Sequence, residues 1–199
     1  MARRTEIADE TILAAALRVM LASGADLKTA DVAREAEVSE GTIFKRFKTK
    51  KGLIAGAVSS VFFRDWLTAL DEDRAEEDFS TVLADTLCEA LKFFRMVMPL
   101  QLALVSLFGR ELSVIELARQ QGREPPVQTF TRKLEIYLDG LINAGKIRPC
   151  QTGVVAGLLL GSVFHRIFAE LSGGRKNSLR DDLNFAEELL RVIVGGIHN

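Results

Sequence analysis

Residues 27–54 read LKTADVAREAEVSEGTIFKRFKTKKGLI, and the caps and apolar spacing inside this stretch decide the fold. Thr29 is a good N-cap for a two-turn helix through ADVAREA, whose Val32, Ala33 and Ala36 face inward. Ser39 is a second cap and opens another short helix through EGTIFKRF, with Ile43 and Phe47 four apart on its inner face. Thr49 caps a longer helix that begins KKGLI and runs on through FFRDWLTAL. Two short helices joined by a tight turn, the second one basic, match the helix-turn-helix arrangement, in which the second helix enters the DNA major groove.

The basic cluster fits that arrangement. Lys45, Arg46, Lys48, Lys50 and Lys51 put five cations into seven positions of a 199-residue chain whose net charge is only -1. Residues 1–51 hold 10 Lys and Arg against 8 Asp and Glu, a net of +2, so the remaining 16 and 19 leave residues 52–199 at -3. Phosphates dominate nucleic-acid affinity, so a few cations suffice if they converge on one face. An isolated KRFKTKK reads as readily as a solvated helix face. Here the caps, the turn and the apolar spacing agree on DNA binding.

Outward from this motif the apolar spacing is helical almost everywhere, and no hairpin signal interrupts it. The expected fold is all-α, with about nine helices. A first helix over Thr5–Ser23 carries a stripe of Ile12, Leu13, Ala16, Leu17, Met20 and Leu21 and stops at Gly24. The helix capped by Thr49 extends to about Leu70, and the acidic run DEDRAEED at 71–78 breaks the pattern. Later helices are predicted near Phe79–Met98, Pro99–Arg119, Pro126–Ala144, Thr152–Leu171 and Leu179–Ile197.

Several function classes lack their chemistry. The apolar run Gly153–Phe164 falls short of the roughly 20 residues of a membrane span and reads as a buried helix. Acids interrupt the N-terminus before a signal-peptide core appears, so the chain is expected to be cytoplasmic, with no membrane partner. Two cysteines, Cys88 and Cys150, and two histidines, His165 and His198, have no spacing for a disulfide framework or metal cluster. No Ser/His/Asp set and no phosphate-binding glycine loop is visible, so no catalytic residue, metal or cofactor is expected.

Across residues 27–54 the chain resembles the TetR/AcrR family of transcriptional regulators, sharing the capped helix, Ala-x-x-Ala, Val-Ser, Gly-Thr-aliphatic-aromatic, Phe, and the Lys that opens the fourth helix. The resemblance implies a DNA-binding domain over 1–51 and a helical effector-binding and dimerisation domain over 52–199. It implies that Thr29 and Lys50 bond phosphates, that Gly41 permits close approach, and that Thr42 and Lys45 reach phosphate or base edges. Ser39 caps the helix and also contacts the DNA backbone, while Arg46 and Lys48 add to the basic face. Two positions depart from the family pattern. Phe44 replaces the usual tyrosine and so lacks its hydroxyl, and Glu37 replaces the usual turn glycine, where a left-handed backbone would strain it by about 1 to 2 kcal/mol.

In the larger part the resemblance implies a pocket for a small effector. Phe62, Trp66, Phe94, Arg95, Met98, Phe108, Phe130 and His165 are the candidate lining, though aromatic residues of this kind also form ordinary core. FFRMVMP is the preferred site, because Arg95 lies among apolar neighbours and Pro99 breaks the helix. Arg95 fits an outer surface equally well, and His165 fits a core or an interface. Gly153, Gly157 and Gly161 recur every four residues and make a smooth strip, for which close approach of another helix would offset the roughly 1 kcal/mol that each glycine costs. With Leu183, Leu190 and Val194 on the last helix they form the expected homodimer interface. The resulting expectation is a homodimeric repressor, released from a palindromic double-stranded DNA operator by an apolar or amphipathic small molecule. The alternatives are a helical dimeric interaction protein and an enzyme acting on an apolar substrate.

Overall fold

Local chemistry sets the helix ends in the first third of the chain. The computed structural model describes residues 8–62, 66–70, 74 and 77–197, and the side chains at 25, 110, 111, 194, 196 and 197 lie outside that description. Helix α1 (Asp9–Ser23) ends where Gly24 turns to φ +53° and donates its N–H to the Met20 carbonyl. Helix α2 (Thr29–Glu35) begins at Thr29 itself with Lys28 as its cap, so the expected threonine cap sits one position inside the helix. Helix α3 (Glu40–Phe47) is capped by Ser39, whose Oγ accepts the Thr42 N–H at 3.1 Å. Such a cap contributes about 1 kcal/mol. Helix α4 (Lys50–Phe62) is capped by Thr49, whose Oγ1 accepts the Gly52 N–H at 2.9 Å.

The remaining helices are α5 (Phe79–Phe108), α6 (Val114–Gln120), α7 (Pro126–Asn143), α8 (Thr152–Leu171) and α9 (Leu179–Ile197). Among the described residues there is no strand, as the periodicity requires. The expected break at Pro99 does not occur: α5 carries the proline inside it and continues to Phe108. A proline within a helix costs about 3 kcal/mol. Leu100 and Leu104, both at most 1% exposed, offset that cost, since burying each leucine contributes roughly 1.5–3 kcal/mol. Helix α5 stops instead at Gly109, where φ is +60°. The expected extension of α4 to Leu70 also fails, because residues 66–68 are not helical.

The chain forms two compact units, Met1–Arg64 with Val97–Arg123, and Asp65–Met96 with Glu124–Asn199. In the first, Ile12, Ala15, Ala16 and Met20 of α1 pack in a core with Val32 and Ala33 of α2, Ile43 of α3, and Leu53, Ile54, Ala57 and Val58 of α4. The buried stripe of α1 therefore runs through Ala15 and Val19, while Leu21 is exposed. Gly56 of α4 lies so close to α1 that a Cβ there would meet the Leu13 side chain at 3.1 Å. In the second unit α7 packs along α8. Leu87 and Leu91 of α5, Phe130, Leu134 and Leu138 of α7, Leu159 and Val163 of α8, and Ala186 and Leu190 of α9 make its core.

Candidate nucleic-acid interface

One face of α3 is open to solvent. Ile43 is buried and Phe47 is half-buried, which turns the opposite side of the helix to water. Gly41, Phe44 and Lys45, three and four apart, share that outer side and are exposed, as is Lys48 just past the end of the helix. Phe44 is 42% exposed beside two lysines. An apolar ring presented this way fits sugar carbons or a thymine methyl. A Cβ on Gly41 would meet nothing closer than Ser39 Oγ at 3.7 Å, so the fold itself leaves room for a side chain there. The bare backbone at Gly41 therefore suits close approach by something outside the chain.

Neighbouring groups hold this helix in place. Ser39 Oγ and Thr42 Oγ1 are 2.9 Å apart, so Thr42 belongs to the cap as well as to the half-buried edge of the face. Arg46 is turned towards α1, where its Nη1 donates to Asp9 at 3.0 Å with only 21% of its side chain exposed. It braces α3 from behind instead of standing on the outer face with Lys45. Arg18 and Glu35, 2.7 Å apart, tie α1 to α2 in the same way. Thr29 and Lys50 stand half-buried at the first positions of α2 and α4, where helix N-termini add their own N–H groups for an anion.

Two residues beside α3 have positive φ. Glu37 adopts φ +54° in the turn, the left-handed conformation expected at a position better suited to glycine. The Val38 N–H then reaches back to the Ala33 carbonyl at 2.9 Å and closes α2. Lys48, at φ +67° and ψ −48°, is the centre of a γ-turn in which the Thr49 N–H donates to the Phe47 carbonyl at 2.7 Å. No residue type at 48 announced that turn. Its tightness explains Gly52, where a Cβ would collide with the Phe47 carbonyl oxygen.

The residues named for an effector divide between the two units. Phe62, Met98 and Phe108 belong to the first, and Trp66, Phe94, Arg95, Phe130 and His165 to the second. Within the second unit the Trp66 ring stacks on Phe93 at 4.0 Å, meets Phe94 edge-on at 5.3 Å and lies parallel to Phe130 at 6.4 Å. Phe94 in turn meets Phe164 at 5.0 Å. Arg95 is engaged within the chain. Its guanidinium donates to Glu170 at 2.8 and 2.9 Å and to Asp182 at 2.8 and 3.0 Å, joining α5, α8 and α9. Arg166 donates to Asp182 at 3.1 Å and stacks on Phe185. Sequence reading missed this cluster, because Glu170 and Asp182 lie 75 and 87 residues from Arg95.

His165 is exposed on α8, as are Val154, Gly157, Leu158, Gly161 and Phe168, spaced by three and four along the same side. Phe168 is 64% exposed. Among the described residues nothing lies within 4 Å of a Cβ placed on Gly157 or Gly161, whereas one on Gly153 would meet Glu135 Oε1 at 2.9 Å. Gly153 thus lies beside the Glu135 side chain of α7, and the other two open outward. On α9, Leu183 and Val192 are exposed, but Leu190 is buried at 3% and belongs to the core. Val194 lies outside the described side chains. By length and composition alone, α5 and α8 could each cross a membrane.

Cys88 is half-buried, and burial together with Asp182, Asp85 and Glu187 pushes its thiol up to about 11, as befits an inert sulfur. An open cleft of about 520 Å³ is lined in part by Arg74, Arg132, Lys133 and Lys146. Arg74 is held there by Glu77 and Asp85, Arg132 by Glu124, and Lys133 by the Leu67 carbonyl. Among the described residues no group of His, Cys, Asp and Glu is placed to hold a metal ion.

Residues 12–57 match the model of a family described as bacterial regulatory proteins, tetR family. No curated protein sequence matches the chain. Among solved structures it is similar to a Mesorhizobium loti protein described as a candidate TetR-family transcriptional regulator, with TM-score 0.71, 17% identity and 100% of both chains covered. It is also similar to FadR of Bacillus subtilis in complex with stearoyl-CoA (TM-score 0.66, 19% identity, 94% of this chain and 98% of that one). A third is NalD of Pseudomonas aeruginosa, the secondary repressor of the MexAB-OprM multidrug efflux pump (TM-score 0.65, 20% identity, 96% and 95%). At such identities the structural likeness speaks for the fold, and the matched segment, which runs from α1 into α4, speaks for the motif. Residues 12–57 thus carry a helix-turn-helix segment like that of the tetR family, in a chain whose fold is like that of these solved regulators.

Proposed function

We propose that the protein is a homodimeric repressor that holds a palindromic operator through α3 and lets go when a small apolar or amphipathic molecule binds in its larger part. The observation that carries this reading is the outer face of α3, where Gly41, Phe44, Lys45 and Lys48 are exposed together while Ser39 and Arg46 fix the helix behind them. On this reading residues 1–51 serve DNA and residues 52–199 serve effector and dimer. Lys45 and Lys48 meet base edges and phosphates, Phe44 packs on sugar or methyl groups, and Thr29, Thr42 and Lys50 bond the backbone. Half-sites are then separated by about one helical turn, roughly 34–36 Å, or a multiple of it.

The exposed apolar side of α8, with Gly157 and Gly161 at its centre, supports pairing with a second copy, joined by Leu183 and Val192 of α9. FadR, whose structure contains stearoyl-CoA, and NalD, a repressor by name, support the effector and the direction of control. Selection of bound sequences from a random DNA pool tests the proposal. Enrichment of a two-fold symmetric sequence, retained in a salt-dependent way, is the expected result. A pool with no enriched sequence would overturn it.

A further inference from the structure

We propose that the aromatic cluster of the second unit is a binding box for a neutral, planar aromatic molecule, and that Trp66 occupies it as a stand-in which such a molecule displaces; this rests on the effector-responsive reading above. The walls and the occupant differ in burial. Phe93, Phe94 and Phe130 are 5%, 3% and 0% exposed, whereas Trp66 is only half-buried. The most accessible of these four rings is therefore the one at the centre of the contacts.

Ring geometry sets the ligand class. The indole stacks on Phe93 with 8° between planes and lies within 3° of parallel to Phe130, while Phe94 closes one edge at 73°. Parallel faces with an edge-on wall favour a flat π-system, because offset stacking and edge contacts act together. A saturated chain of equal volume would gain burial and lose both. Arg95, next to Phe94 in the chain, has its guanidinium engaged by Glu170 and Asp182, so ring shape and not charge does the selecting.

The backbone allows the exchange. Residues 66–68 form a non-helical strap, fixed by the Glu89 carboxylate, which accepts the Thr68 N–H at 3.0 Å, the Ala69 N–H at 3.1 Å and the Thr68 hydroxyl at 2.7 Å. Lys133 Nζ donates to the Leu67 carbonyl at 3.0 Å, and the Leu67 side chain is buried. The strap is thus pinned from residue 67 onward. Trp66 lies just before the pins, on the side that leads back to α4, which ends four residues earlier at Phe62. Expulsion of the ring leaves these pins in place, so the exchange asks nothing of residues 67–69.

Trp66 is the only tryptophan, so 5-fluorotryptophan gives the full-length protein one fluorine resonance. The probes are quinoline, a planar bicycle of indole's size, decalin as its saturated counterpart, and lauric acid as a flexible chain. Quinoline should move the resonance saturably towards the position of the solvent-exposed residue and lower affinity for the selected DNA at least 5-fold, within the usual range of allosteric coupling. Decalin should do neither. Trp66→Leu, which keeps apolar bulk without a flat ring, should bind quinoline about 10-fold tighter, and the wild-type resonance stands as evidence even if that variant does not fold. Quinoline that fails to bind, or binds with the resonance unmoved, overturns the proposal. Release of DNA by lauric acid with the resonance unmoved also overturns it, while leaving the effector reading intact. Failure of the protein to select any DNA sequence counts against that broader reading instead.

Discussion

Replacing Arg95 with methionine should destabilise the protein strongly although the site is far from α3 in sequence. The substitution keeps an unbranched apolar stem and removes four hydrogen bonds of 2.8–3.0 Å to Glu170 and Asp182. Those carboxylates have side chains only 7% and 3% exposed, so the loss leaves charge in a dry place. Removing one partner of a buried pair costs about 3–5 kcal/mol. Two features reduce that figure. Asp182 keeps Arg166 at 3.1 Å and Glu170 keeps Asn177 at 2.6 Å, and Arg95 is itself 29% exposed. About 2–3 kcal/mol remains, which for a chain of this length lowers Tm by about 4–12 °C.

The pH dependence gives a second handle. Hydrogen bonding from Arg95, followed by that from Asn177, holds the Glu170 carboxyl below its ordinary value of 4.5. A folded-state value below the unfolded one contributes stability that is fully present above that ordinary value and is lost as pH falls through the lowered one. The gap between wild type and Arg95→Met should therefore be widest near neutrality and narrow in acid below 4.5. Thermal unfolding followed by helical circular dichroism at several pH values measures it. A variant that melts within about 1 °C of wild type at neutral pH, or a gap that widens in acid, would refute the reasoning.

Other expectations follow from α3, α8 and Cys88. Lys50→Ala should lower the slope of log affinity against log salt by about 0.9 with no change in sequence preference, whereas Lys45→Ala should also alter the selected bases; binding titrations over a salt series decide both. Glu37→Gly should raise stability by about 1 kcal/mol in denaturant titrations, because the left-handed turn at φ +54° costs an L-residue roughly that much. Gly157→Leu should leave the helical content of the chain intact, since none of the described residues lies within 4 Å of its new Cβ, yet shift the light-scattering mass towards a monomer. Cys88, with its thiol pushed up to about 11 by burial, should have about 0.1% thiolate at pH 8 and react with a thiol reagent roughly 100-fold more slowly than an unperturbed cysteine.

The helix-turn-helix motif was legible in the sequence because its determinants are local. A cap and the N–H it accepts are three residues apart, as with Ser39 and Thr42 or Thr49 and Gly52. Inward and outward faces of α3 follow from a 3.6-residue period alone, and Glu37 declared its strain by standing where a glycine is wanted. The same locality misled at Pro99. Proline reads as a break, but Leu100 and Leu104 bury enough surface to carry α5 through it.

By itself, the sequence determined the helical class, the motif over residues 27–54 and the outward placement of Gly41, Phe44 and Lys45, since each depends on neighbours within a turn or two. Tertiary structure decided the rest. Arg46 turned inward to Asp9, Arg95 joined Glu170 and Asp182, Leu190 sank into the core, and Trp66 left the helix to stack on Phe93. In each case the partner is distant in sequence, so no period or composition could name it. A side chain's role there follows from which charge or ring the fold brings within 3 to 4 Å, and that is a property of packing.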